Sequence, residues 1–187
     1  MSPRIIGGAG KGRRLTAPPG NDTRPTGARV RQTVFDILAP VIRDARFLDA
    51  FAGGGGVGLE ALSRGAKRVV LVDQSRTAVE AVRANLELLR LSGAEVVQRD
   101  TRAALVALRD RGEEFDVIYL DPPYDSDLYE PLLPLADAVL ARDGVIVAEH
   151  FHKRALPETM GRLVSARSVR VGDHRLTFYR RKVEEPH

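Results

Sequence analysis

The chain contains no cysteine. That excludes disulfides, cysteine-based zinc sites and a cysteine nucleophile, and it makes a reducing cytoplasm the expected home. The four histidines are scattered without metal-ligand spacing, so no metal is expected. No apolar run approaches the roughly 20 residues a membrane span needs, and the opening Met1-Ser2-Pro3-Arg4 has no apolar signal region. Lysine is scarce: arginine outnumbers it 25 to 4, so arginine abundance says little and its clustering says more.

What is present suits one domain with a modest extension: 187 residues, 43% of them hydrophobic, and no long repeat. A monomer is the default expectation. The net charge is +4 but unevenly spread. Residues 1–31 hold Arg4, Lys11, Arg13, Arg14, Arg24, Arg29 and Arg31 against a single acid, Asp22, so this segment alone carries +6. A basic arm in front of a near-neutral body points to a polyanion partner; the plain alternative is a solvated tail. Residues 1–25 read as an arm or hairpin with two apolar pairs separated by glycines, then a Pro- and Gly-rich linker. The main domain, residues 26–187, opens at Thr26, a candidate N-cap. Val30, Val34, Ile37, Leu38 and Val41 then recur at helical spacing to about residue 42. Arg29 and Arg31 fall in the first turn of this helix, where the dipole disfavours cations, which suggests that they serve a partner.

From Arg46 strands and helices alternate. Residues 47–49, 68–73, 95–100, 115–121 and 144–149 read as strands, with helices at 57–63, 77–91, 101–109 and 128–140 between them. Near-continuous apolar strands joined by helices mean a parallel sheet covered on both faces. Residues 163–171 and 175–181 read as an antiparallel hairpin turning at Gly172-Asp173. The expected fold is therefore α/β, with a Rossmann-like, mostly parallel seven-stranded sheet and a C-terminal antiparallel hairpin.

Four successive strands end in acids: Asp49, Asp73, Asp100 and Asp121. All would line one edge of the sheet, where unpaired carboxylates repel, so a cationic or donor-rich ligand is expected there. After the first strand, Gly53, Gly55 and Gly58 satisfy G-x-G-x-x-G, a spacing whose common reading is a pyrophosphate on a helix N-terminus. Asp49, only four residues before Gly53, disfavours a pyrophosphate and favours a ligand bearing ammonium and sulfonium charge. S-adenosylmethionine is such a ligand. Asp49 and the glycine-loop backbone would take its methionyl part, Asp73 its ribose, and Asp100 its adenine amino group with Thr101 beside it. The alternative is a packing turn with incidental acids.

The fourth strand runs into Leu120-Asp121-Pro122-Pro123-Tyr124. Two prolines cannot join a ladder. A carboxylate, a rigid backbone and an aromatic ring at a sheet's carboxyl edge can hold a flat, amine-bearing molecule such as a nucleobase. The plainer reading is that Pro-Pro ends the strand and Tyr124 caps the core. His150 and His152 fall near the same edge, as rim residues or, less simply, as a base.

The run from Asp49 through Gly53-Gly54-Gly55-Gly56-Val57-Gly58 to Leu59-Glu60-Ala61, together with Asp121-Pro122-Pro123-Tyr124, resembles a class I S-adenosylmethionine-dependent amino-methyltransferase. Arg4-Ile5-Ile6-Gly7-Gly8, Lys11-Gly12-Arg13-Arg14-Leu15, Arg24-Pro25-Thr26 and Arg29-Val30-Arg31-Gln32-Thr33-Val34-Phe35 resemble the N-terminal signature of RsmD-type 16S ribosomal RNA guanine-N2 methyltransferases, and Ala61-Leu62-Ser63-Arg64-Gly65-Ala66 continues the match. The resemblance spans nearly the whole chain. It departs at Gly54, where serine is more usual, and at Asp73, where glutamate is common. The resemblance implies a class I methyltransferase fold and adds Phe51, Ala52 and Gln74 to Asp49, Gly53, Gly55, Asp73, Asp100, Thr101 and Asp121 as cofactor contacts. It implies Asp121, Pro122, Pro123 and Tyr124 as the catalytic group. Ribosomal RNA, in the small subunit or an assembly intermediate, would be the partner, met through Lys11, Arg13, Arg14, Arg24, Arg29 and Arg31. Other readings are a DNA or RNA adenine-N6 or cytosine-N4 methyltransferase, an NAD-dependent oxidoreductase supported only by the glycine spacing, and a non-catalytic RNA-binding module.

Overall fold

The computed structural model describes residues 3–19, 26–123 and 127–183. Eight strands form one sheet in the order β3-β2-β1-β4-β5-β8-β7-β6. In chain order the elements are α1 (Ala28–Leu38), β1 (Arg46–Asp49), α2 (Gly56–Ser63), β2 (Arg68–Asp73), α3 (Arg76–Leu89), β3 (Ala94–Gln98), α4 (Thr101–Asp110) and β4 (Phe115–Leu120). They are followed by α5 (Tyr129–Asp137), β5 (Leu140–Phe151), β6 (Thr159–Met160), β7 (Leu163–Val171) and β8 (His174–Arg181). β1 to β5 are parallel, and β8 joins β5 antiparallel, with His174 opposite Phe151.

Side-chain alternation along the strands builds two cores. Phe47, Val69, Leu71, Val117, Tyr119, Val145 and Val147 pack with α1 and α2 on one face. Leu48, Val70, Val72, Ile118, Leu120, Ile146 and Ala148 pack with α4 and α5 on the other. The class and layering match the sequence expectation. The strand count is eight rather than seven, because β6 is a two-residue pairing with β7 beside Gly161 and too short to leave a periodic pattern. β5 starts at Leu140, four residues early: Leu140 pairs with Phe115 before the register shifts toward Val117. α1 stops at Leu38, before Pro40, and its N-cap is Gly27 with no side-chain cap, so Thr26 does not serve as the cap.

Residues 3–19 have too much glycine for a core of their own and borrow one. Ile5 and Leu15 are buried in the first core. The backbone N–H groups of Ile6 and Gly7 donate to the Glu60 carboxylate at 2.9 and 2.8 Å, and that of Gly10 donates to Ser63 Oγ at 2.8 Å, so the segment lies on α2. Thr16 and Asn85 exchange two hydrogen bonds, which ties the segment's far end to α3. Among the described residues no helix is long and apolar enough to cross a membrane.

Candidate active site

The strand order sends the chain to opposite sides after β1, with β2 on one flank and β4 on the other. Such a switch point opens a crevice at the carboxyl ends of the strands, where ligands of α/β sheets bind. The residues after β1 straddle it. Ala50 N–H donates to the Tyr119 carbonyl on the β4 side, and Ala52 N–H donates to the Val72 carbonyl on the β2 side, at 3.1 and 2.8 Å. The four strand-end acids therefore line one edge in the spatial order Asp100, Asp73, Asp49, Asp121.

Asp49 sits at the centre, 1% exposed, and accepts Gly58 N–H at 2.9 Å. Burial, and then the charge of Asp73, push its carboxyl up to about 7 against the pull of the Gly58 and Phe51 N–H groups. Gly58 allows this approach: a Cβ there would meet Leu71 at 2.6 Å and Asp49 Oδ2 at 3.2 Å. Gly53 and Gly55 take φ of 52° and 86°, left-handed values that suit glycine, and turn the chain from β1 into the N-terminus of α2. Half-buried Phe51 and buried Ala52 complete this turn, and Asn85 Nδ2 holds it by donating to the Gly54 carbonyl at 3.1 Å.

Asp73 accepts Gly53 N–H through Oδ2 at 2.9 Å and Ser75 N–H through Oδ1 at 2.8 Å. Each oxygen keeps a free lone pair for a ligand hydroxyl. Gln74 beside it is exposed. Asp100 is exposed and caps α4, accepting Ala103 N–H at 3.1 Å. Thr101 is buried and its hydroxyl donates to the Ala50 carbonyl at 2.7 Å, so it ties α4 to the loop after β1. These placements suit one elongated ligand carrying a cation at one end and a sugar in the middle. No lysine or arginine among the described residues pairs with Asp49, Asp73, Asp100 or Asp121, so the donor set fits an ammonium-bearing cofactor such as S-adenosylmethionine and not a pyrophosphate.

On the other flank Asp121 follows β4. Its carboxyl is raised well above the usual range by burial, by the charge of Glu149 and by that of Asp49, and Thr26 opposes the rise with a hydroxyl 3.5 Å from Oδ2. Pro122 is buried and Pro123 exposed. Tyr124, the last of the expected catalytic group, lies outside the described residues. Sequence reading missed Glu149. It is 1% exposed, and Ala148 pairs with Leu120, so Glu149 follows on β5 where Asp121 follows on β4. Its Oε2 accepts from Tyr119 OH and lies 3.4 Å from Thr26 Oγ1, while Oε1 lies 2.8 Å from His174 Nδ1. The available signal was the strand itself, a fifth one ending near an acid. His150 is buried against Thr177 at 2.8 Å, its ring pKa lowered by burial, which suits packing rather than a rim or a base.

The basic residues divide. Lys11, Arg13, Arg14 and Arg29 are exposed, although Arg13 also donates to the Leu88 and Leu89 carbonyls at the end of α3. Arg24 lies outside the described residues. Arg31 does not reach solvent: it is 1% exposed, donates to the Arg4 carbonyl and lies 3.7 Å from Glu60. Its place in the first turn of α1 reflects an internal clamp on residues 3–19 and not a partner. A second group was not anticipated. The turn between β7 and β8 lies against the start of α1, and a hollow there is lined by Gly27, Arg29, Val30, Val171, Gly172, Asp173 and His174. Arg170 pairs with Arg175 across the hairpin, Arg175 lies opposite His150 on β5, and exposed Lys153 follows that strand, so the carboxyl end of β5 carries a basic rim.

Comparison with known proteins agrees with this geometry. A family model described as conserved hypothetical protein 95 matches residues 3–180. The chain is 41% identical over 182 residues to YlbH of Bacillus subtilis, a provisionally assigned rRNA methyltransferase, covering 96% of this chain and 99% of that one. It is 36% identical over 183 residues to ribosomal RNA small subunit methyltransferase D of Escherichia coli K12, covering 97% and 91%. A solved structure of YhhF from Escherichia coli, a provisionally assigned methyltransferase, superposes with a TM-score of 0.85 at 32% identity, covering 98% and 100%. The match therefore runs through the arm, the glycine loop, the Asp121 strand end and the hairpin alike, and the chain belongs to the conserved hypothetical protein 95 family, that of the ribosomal RNA small subunit methyltransferase D proteins.

Proposed function

We propose that this protein transfers a methyl group from S-adenosylmethionine to the exocyclic N2 amine of a guanine in small-subunit ribosomal RNA. The observation that carries the reading is the pair of uncompensated carboxylates, Asp49 and Asp121, flanking one switch-point crevice with a left-handed glycine turn between them. The relatives' names supply the RNA class. S-adenosylmethionine, when bound, supplies an electrophilic methyl on a sulfonium. Asp49 and the N–H groups of the glycine turn hold the amino-acid end, Asp73 takes the ribose hydroxyls, and Asp100 takes the adenine amino group. Across the crevice the Asp121 carboxylate and the Pro122 carbonyl accept the hydrogens of the base amine. That draws the nitrogen toward a tetrahedral shape and frees a lone pair otherwise delocalised into the ring. Tyr124 stacks on the base. Positioning and charge placement do most of the work. The target guanine is unpaired or flipped, since base pairing would occupy one of the two amine hydrogens that Asp121 and the Pro122 carbonyl must accept. Residues 3–19 and the rim at Arg29, Arg170 and Arg175 hold phosphates. The protein acts as a monomer in the cytoplasm, on the small subunit or an assembly intermediate. Mass mapping of methylated nucleosides in ribosomal RNA, with and without the protein, tests the reading. N2-methylguanosine at one site is expected. Methyl on adenine N6 or cytosine N4 replaces the base, and no methylation overturns the proposal.

A further inference from the structure

Methyl transfer leaves a proton to dispose of. The N–C bond forms as the S–C bond breaks, its electron pair stays on sulfur, and the amine nitrogen must shed one hydrogen. Asp121 is the group that collects it, and Asp121 is not isolated. The Thr26 hydroxyl lies between two carboxylates, 3.5 Å from Asp121 Oδ2 and 3.4 Å from Glu149 Oε2, and has one hydrogen to give. Glu149 is buried yet held on every side: Tyr119 OH donates to Oε2, the His174 ring meets Oε1 at 2.8 Å, and Tyr129 OH donates to its backbone carbonyl. None of these groups has a task in holding the cofactor or the base.

We propose that Glu149 is a positioning residue for Asp121: through the shared Thr26 hydroxyl it orients the Asp121 carboxylate toward the base amine and takes over the proton that Asp121 collects. The inference rests on the methyl-transfer reading above. The hand-over balances, since protonated Asp121 gives its hydrogen to Thr26 Oγ1 while Thr26 gives its own to Glu149 Oε2. Asp121 is free to accept again, and the proton returns to solvent by the same hydroxyl after product leaves. His174 donates to Oε1 and keeps Glu149 ready as an acceptor. Among the described residues, the charged and titratable groups facing this pair are Asp49 on β1, Tyr119 on β4, Tyr129 on α5 and His174 on β8, with Arg154 over the Tyr129 ring.

Glu149 raises the Asp121 carboxyl by its charge, whereas Thr26 lowers it by its hydrogen bond. The two substitutions must therefore move the pH dependence of methyl transfer in opposite directions, which a merely structural role would not do. The experiment is single-turnover transfer of radiolabelled methyl to small ribosomal subunits from cells lacking the modification, between pH 5.5 and 9. Glu149→Gln is expected to lower the plateau by about 10-fold or more and to shift the ascending limb to lower pH. Thr26→Val is expected to shift that limb to higher pH. S-adenosylmethionine affinity by calorimetry should stay within about 2-fold, because neither group holds the cofactor. Limbs that do not move, or that move together, overturn the inference. If Glu149→Gln fails to fold, Thr26→Val decides alone, and an unmoved limb overturns it. Wild-type protein that transfers no methyl overturns the methyltransferase reading as well, whereas an active wild type with unmoved limbs overturns only the role of Glu149.

Discussion

The two carboxylates that flank the crevice are held by opposite means. Asp49 is fixed by backbone: Gly58 N–H meets it at 2.9 Å, and the glycine that donates is locked against Leu71. Asp121 is met by a side chain, the Thr26 hydroxyl at 3.5 Å, in a network with Glu149, Tyr119 and His174 that can itself gain and lose protons. Backbone donors have one state at any pH. Hydroxyls, carboxylates and imidazoles have several. The donor that orients Asp49 is thus set by the fold, whereas the donors around Asp121 depend on which protons their side chains carry. This division suits a group transfer in which one partner keeps its charge while it is held and the other must lose a proton.

The strongest way to break the comparison is Asp121→Ala. Methyl transfer should fall by about 1,000-fold or more, while S-adenosylmethionine affinity in calorimetry changes little. Equal losses in both would mean that the two halves are one. The converse is Asp49→Ala, expected to weaken the cofactor about 100-fold, near 3 kcal/mol, with the single-turnover rate largely recovered at saturating cofactor. Asp49 also has a pH signature. Burial pushes its carboxyl up to about 7, and an ammonium needs the ionised form, so cofactor affinity should rise with pH through about 7 and level off above it. On the empty protein the sign reverses. A raised acid pKa means that the fold keeps a proton which the unfolded chain has released, so stability is lost as pH rises from the ordinary carboxylate range through about 7. Asp49→Asn should flatten that decline in melting experiments.

How much of this the sequence carried depends on whether a residue acts locally. The parallel sheet, the glycine turn and the four strand-end acids were legible because period, turn chemistry and strand ends are properties of neighbouring residues. Their spatial order, with Asp49 beside Asp121, needed the switch after β1, which no local pattern encodes. Glu149 was hidden for the same reason: its partners Thr26, Tyr119 and His174 come from three distant segments. Arg31 misled because a cation in the first turn of a helix suggests a solvent partner, whereas burial against Glu60 supplies an internal one. Thr26 misled in the opposite way, since a residue suited to cap α1 spends its hydroxyl on two carboxylates instead.

The reassignment of Arg31 sharpens the comparison from behind the cofactor half. Its guanidinium lies against Gly56 at the start of α2, where a Cβ would come within 3.0 Å of Nη1, and it joins Glu60 to the Arg4 carbonyl. Two of its nitrogens are buried without a hydrogen bond, and Glu60 keeps Arg64 and two backbone N–H groups in its absence. Arg31→Ala should therefore cost about 2 kcal/mol of stability, less than a buried ion pair normally loses, as read by urea unfolding. If RNA affinity falls while stability holds, the arginine serves a partner after all.

The smallest effects belong to the rim. Arg29 and Arg170 are exposed on the rim near the β7–β8 turn, so each can meet a phosphate, and neither is bonded to Asp49 or Asp121. A phosphate contact releases counterions and positions the RNA without reading its sequence. Arg29→Gln and Arg170→Gln should each weaken RNA binding only a few-fold at moderate salt, and each should flatten the plot of log affinity against log salt by about 0.7 to 0.9 for every phosphate left unneutralised. Methyl transfer at saturating RNA should be unchanged, since both halves of the crevice stay intact. A fall in the single-turnover rate instead would mean that the rim helps to hold the base, and the line between binding surface and base half would have to be redrawn to include the hairpin.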